Sequence, residues 1–202
     1  TGWDQASAIL RVCAGGEWKR YRLLKASHTH DHYWQTEWPR VREVEHERLL
    51  MDLHGMFYEL QPYLFGGHNW GIVPICRHLR VIPDYCSWRG FLVLGGNQAT
   101  ATRDTYLLAG EPQAGLWFGK TDDLWGFGAP QGWGGPWWKT DVKAGQPSDP
   151  YLMTGFVNKC LHLSHNANRP VQISLEVDVT GMGDWQTYER VTVDKYTFRV
   201  FP

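Results

Sequence analysis

Charge of one sign is missing from this chain. Its 20 Lys and Arg stand against 21 Asp and Glu, a formal net charge of −1. Without a basic excess there is no special attraction to nucleic acid or to an anionic membrane, and neither is expected as a partner. No apolar run reaches the roughly 18 residues of a spanning helix. Four cysteines in 202 residues are too few for a disulfide scaffold. Cys76 and Cys86 bracket a strand-like stretch and could meet across a hairpin, but free thiols are the simpler reading. The phosphate-binding Gly-x-x-x-x-Gly-Lys-Ser/Thr, the dinucleotide Gly-x-Gly-x-x-Gly and the nucleophile elbow Gly-x-Ser-x-Gly are absent, which argues against those families and not against catalysis. The chain opens at Thr1 without a Met or a charged-then-apolar leader, so it reads as processed or as part of something longer. A soluble protein is expected, with an extracellular or periplasmic setting left open.

Helical periodicity is scarce too. Within residues 38–53, Leu49, Met51 and Leu53 oppose Leu50, Asp52 and His54 with period two, the mark of a strand. What the chain has in plenty is punctuation and aromatic surface: 22 Gly, 11 Pro, 12 Trp, nine Tyr and eight Phe. Many short strands with tight turns require that composition. Ile9–Cys13, Ala14-Gly15-Gly16-Glu17 and Trp18–Leu24 read as a hairpin, since paired glycines supply the positive φ of a tight turn. Residues 173–191 repeat the figure around Gly181-Met182-Gly183-Asp184. Trp-x-x-Tyr follows the turn both times, at Trp18 and Tyr21 and at Trp185 and Tyr188.

A second repeat centres on glycine. Residues 115–128 read as a strand, a turn pinned by Gly119 and a second strand, with fainter copies at Gly55, Gly90 and Gly155. These glycines fall 35, 29 and 36 residues apart. The spacing predicts an all-β single domain over 1–202, a β-propeller or partial propeller incomplete at both ends, with a β-sandwich as the alternative.

The phrases TEWPRV (36–41), HGMFYEL (54–60), CSWRGFLVL (86–94), LWFGKTDDLWGFG (116–128) and DPYLMTGF (149–156) resemble those of uncharacterised bacterial β-propeller-type proteins. The resemblance covers most of residues 36–202. It implies the fold rather than a chemistry, and it implies a chain that continues past Pro202.

Propeller ligands sit at a mouth of the central channel. The residues preceding the four repeat glycines are His54, Arg89, Phe118 and Thr154. They differ, which favours one asymmetric site over several equal ones. Lys120, Thr121, Asp122 and Asp123 lie on a turn beside Trp117 and Trp125, and a sugar site needs that mixture of flat apolar faces and polar groups. The plain alternative is a solvated turn with a surface ion pair. A glycosidase needs two carboxylates across one bond, with Glu37, Asp84, Asp122 and Asp123 as candidates. A lyase needs a cation for a uronate and a group to move the α-proton; Arg89 with His54, and Tyr58 or Tyr85, would serve. The catalytic expectation is therefore His54, Arg89, Asp122 and Asp84. Lys120, Asp123, Trp117, Trp125 and Trp133 are expected to bind substrate. Carbohydrate processing leads, ahead of non-catalytic glycan binding through Trp117, Trp125, Trp133 and Trp137, or a purely structural segment. His28, His30 and His32 alternate, so on a strand they share a face and could hold zinc or calcium; solvated histidines in a polar loop are the plainer reading.

Overall fold

A computed structural model describes residues 1–26, 39–45, 48–61, 71–78, 82–97 and 114–202. Among these residues the strands pair antiparallel, in five small sheets. The first sheet holds β1 (Gly2–Trp3), β2 (Ala8–Ala14) and β3 (Glu17–Leu23). The second runs β4 (Arg40–Val44), β5 (Arg48–Leu53), β6 (Met56–Leu60) and β7 (Val73–Arg77). The third holds β8 (Tyr85–Trp88), β9 (Phe91–Asn97) and β10 (Ala114–Gly119). Two strand pairs follow: β11 (Leu161–Ser164) with β14 (Phe198–Phe201), and β12 (Val171–Val177) with β13 (Gln186–Val193). No helix among the described residues is long and apolar enough to cross a membrane.

The two-residue loops Gly15-Gly16, His54-Gly55 and Arg89-Gly90 join strands whose flanking residues pair directly. All six loop residues have positive φ. That is the backbone of a type I′ turn, whose twist matches its strands. His54 and Arg89 adopt it without being glycine, at φ 50° each. The predicted Gly119 and Gly155 copies differ. Gly119 ends β10, and a 3-10 helix over Thr121–Gly126 follows in place of the expected second strand. Asp123 turns the chain there, its carboxylate accepting the Lys120 N–H at 2.7 Å.

The second sheet is apolar on both faces. Met51 and Leu53, with Met56, Tyr58 and Leu60, pack on Ala8, Leu10, Val12 and Leu23 of the first sheet. Leu50 and Phe57 face Tyr85, Leu92 and Leu94 of the third sheet, with Leu124 and Trp117 closing the same core. Alternation in β5 thus sorts side chains between two cores rather than between core and water. A thinner core of Leu163, Val191 and Val193 joins the C-terminal strand pairs.

The Gly/Pro/Trp-rich stretch after the 3-10 helix is a strap along the edges of this stack. Gly128 accepts the Arg77 N–H at 2.8 Å. Trp133 exchanges two backbone hydrogen bonds with Lys25, at 2.7 and 3.0 Å. Pro150 and Leu152 then bond the backbone of Arg22, at 2.8 and 2.9 Å. Covering β3 this way removes an open edge. The Arg22 side chain, buried, clamps the strap, donating from Nε to Asp149 at 2.8 Å and from Nη1 to Asp4 and to the Ser7 hydroxyl, the last at 2.7 Å.

Burial alone would raise the pKa of Asp4, but the Arg22 guanidinium and the amides of Ser7 and Ala6 outweigh it and hold the carboxyl below its usual range. A depressed folded pKa adds stability above the unfolded value, lost as pH falls through the folded one. The urea midpoint is therefore expected to drop as pH is lowered below about 4, and to drop less in D4N. Equal acid sensitivity in D4N and the parent would remove Asp4 from that account.

Candidate functional site

Strand register locates the predicted catalytic side chains at two ends of the stack. Arg40 pairs with Asp52, and Val44 with Arg48. Asp84 joins the Asp52 end, 3.2 Å from Arg42 and 3.4 Å from Arg40. Tyr85 anchors it there, its hydroxyl donating to the Leu50 and Arg40 carbonyls at 2.6 and 3.0 Å. His54 follows β5 at this same end. The Glu45 N–H donates to the Ser87 hydroxyl at 2.8 Å, which brings the Arg89-Gly90 turn to the opposite end. Asp122 is also there, bonded to Arg48 at 2.8 Å. The length of β5, about 17 Å, separates the two groups.

The catalytic set is thus divided: His54 and Asp84 at one end, Arg89 and Asp122 at the other. His54 is fully buried, with the Trp3 ring edge-on at 5.0 Å. Arg89 is exposed and lies 5.0 Å over the Trp88 ring. Asp84 is held below the usual carboxylate range: burial raises it, but the Tyr85 amide, Arg42 and Arg40 prevail. Burial pushes the phenols of Tyr58 and Tyr85 up from their usual range, and the Tyr85 hydroxyl is already engaged by two carbonyls. Glu37 and the histidines His28, His30 and His32 lie outside the described residues. Among the described ones no group of three or more His, Cys, Asp or Glu could hold a metal ion. All four cysteines are free, Cys76 and Cys86 included.

The expected substrate-binding residues also part company. Asp122 belongs to an ion network on Arg48, which also meets Glu59 at 3.0 Å and Glu45 at 3.8 Å. Asp123 caps its own turn, and Lys120 is exposed beside it. Trp117 is half-buried against the second core, edge-on to Phe127 at 5.4 Å. Gly119 leaves room for that ring: a Cβ there would lie 2.1 Å from Trp117 Cη2. Trp125 is exposed on the 3-10 helix.

Trp133 stands in a different setting, on the strap at the His54 end. Its ring and that of Trp138 lie 6.2 Å apart, tilted by 57°, and they are 49% and 53% exposed. The Lys25 ammonium sits 5.1 Å from the Trp133 ring centroid. Lys25 is fully buried, its Nζ donating to the carbonyls of Asp4 (2.5 Å) and Gln5 (3.1 Å). Two backbone bonds and a cation beneath thus hold an exposed indole in one place.

Sequence reasoning passed over Lys25 and the buried pair Asp52–His78, whose Oδ1 and Nε2 are 2.9 Å apart. The signal was there in both cases: a charged residue inside an apolar run, Leu23-Leu24-Lys25-Ala26 and Met51-Asp52-Leu53. Comparisons with protein-family models, curated proteins and solved structures return no match.

Proposed function

We propose that the three stacked sheets are consecutive blades of a β-propeller and that the chain binds carbohydrate without cleaving it, through Trp133 and Trp138. Radial repetition of meander sheets is how propellers manage strand edges, and the first three sheets stack in chain order, with the second covered on both faces. Trp88, Phe91, Leu116 and Phe118, exposed on the third sheet, repeat the makeup of the covered faces, as a blade with a further neighbour would.

The observation that carries the binding reading is a half-exposed indole pair, one member of which, Trp133, is pinned. Sugar rings stack their C–H faces on such surfaces. A platform fixed before binding loses little freedom when a ligand arrives. Catalysis is the weaker reading, because His54, Arg89, Asp84 and Asp122 do not meet around one bond.

Calorimetric titration with neutral and uronate-containing oligosaccharides tests this. W133A and W138A are each expected to weaken binding about tenfold, the equivalent of one stacked ring. W125A is expected to leave it unchanged. Product release would sink the non-catalytic reading. Loss of binding in W125A alone would move the site to the other end of the stack.

A further inference from the structure

We propose that Cys160 is a selectively reactive thiol, with His162 as its base, that exchanges with small disulfides bearing carboxylate groups. The observation is a nucleophile–base pair outside the sugar platform: Cys160 Sγ lies 3.4 Å from His162 Nε2. Cys160 directly precedes β11 and His162 is its second residue, so the two side chains project to one side of the extended chain. The register of β11 fixes the imidazole, His162 pairing with Val200 of β14. The approach to Cys160 is braced as well. Gly155 passes so close to Pro74 that a Cβ would lie 2.6 Å from the proline Cδ, and Phe156 packs into the first core. Cys160 opens on a cavity of about 550 Å³ that Val157, Asn158, Lys159 and Pro202 also line.

The other three cysteines lack this arrangement. Cys76 is fully buried, and burial, with the Asp52 charge added, pushes its thiol up to about 12. Cys13 and Cys86 are exposed, and no imidazole among the described residues is bonded to either. Thiolate, not thiol, is the attacking species, so an adjacent proton acceptor separates Cys160 from the other two exposed cysteines.

The step balances without an outside oxidant. The Cys160 proton passes to His162 Nε2, and the thiolate attacks one sulfur of the disulfide. A new sulfur–sulfur bond to Sγ forms as the old one breaks, and the departing thiolate takes the proton from the imidazolium. Cys160 is oxidised to a mixed disulfide, and half of the small disulfide leaves as a thiol. Lys159, whose ammonium donates to the Phe156 carbonyl at 2.7 Å on the cavity wall, supplies the attraction for carboxylates.

The full chain is treated with limiting dithiobis(nitrobenzoate), a dianion, and the modified peptides are identified by mass spectrometry. Cys160 is expected to react on the order of tenfold faster than Cys13 or Cys86, with Cys76 last. H162Q is expected to bring Cys160 down to the Cys13 rate. K159Q should slow the dianionic reagent while leaving neutral dithiodipyridine unaffected. Equal rates at Cys13, Cys86 and Cys160 in the unaltered protein overturn the proposal, as does an unchanged Cys160 rate in folded H162Q. A K159Q variant that slows neither reagent overturns the carboxylate preference. Rapid labelling of Cys76 would reveal a variant that has lost its fold, and the order of reaction in the unaltered protein then decides.

Discussion

Gly132→Ala is expected to lower the unfolding free energy by about 2–3 kcal/mol, although it adds a single methyl group to an exposed strap. A Cβ at this position would lie 2.4 Å from the Lys25 carbonyl oxygen and 2.4 Å from Leu24 Cδ1. Neither neighbour can yield. The carbonyl belongs to the bridge that holds Trp133, and Leu24 is buried in the first core. Relief has to come from lifting the strap off the first sheet, which breaks the two Lys25–Trp133 hydrogen bonds and releases the indole platform. Stability and sugar affinity should therefore fall together. Gly126→Ala is the control, since nothing lies within 4 Å of its added Cβ; it should cost no more than about 0.5 kcal/mol. Urea unfolding of both variants distinguishes the cases. Equal midpoints would mean that the strap gives way freely at Gly132 and does not position Trp133.

The hairpins were the legible part of the fold. Gly15-Gly16, His54-Gly55 and Arg89-Gly90 sit between alternating strands, and a two-residue loop with glycine second leaves the backbone little choice. The Gly119 figure misled because Leu124-Trp125-Gly126-Phe127 is a short apolar run, which a strand and a helical turn share. What decides it is a carboxylate three residues from Lys120 folding back on the chain, and Glu45 of the second sheet accepting the Thr121 N–H at 3.2 Å. The second of these contacts spans 76 residues and leaves no local trace.

The predicted catalytic residues part for a reason of parity. Aligning glycines equates His54-Gly55 with Arg89-Gly90, but β8 lies beside β4, so the Arg89 turn stacks on the β4–β5 connection at Glu45. Glu45 itself has positive φ, 43°, without a glycine to advertise it within the described residues. Successive turns in a meander alternate between its two ends, and a shift of one strand moves a side chain the full length of the sheet. Spacing in sequence is blind to that shift. The tryptophans were legible as a class, twelve of them in a chain rich in glycine and proline. Their sorting into packed (Trp117, against the second core) and exposed (Trp133, Trp138) depends on tertiary contacts that the local sequence does not carry.

Replacing His78 by leucine is expected to cost about 3–5 kcal/mol. The Asp52 carboxylate is 1% exposed, and its Oδ1 has the His78 imidazole at 2.9 Å. Its other oxygen, Oδ2, is buried with no hydrogen-bond partner. Among the described residues the surroundings offer little replacement: Phe57 lies against the His78 ring at 4.9 Å, Cys76 is buried in the same core, and Arg40, across the strand, is engaged with Asp84 at 3.4 Å. Without the imidazole, a carboxylate in this setting must either keep its charge unsolvated or take up a proton, and both destabilise the fold. The apolar double variant D52L/H78L removes the group that suffers as well as its partner, so it should recover most of the loss. A double-mutant cycle from urea unfolding at neutral pH measures the coupling directly. If D52L/H78L is no more stable than H78L, the histidine holds the fold by its bulk between Phe57 and Asp52, and the buried charge is not what makes it necessary.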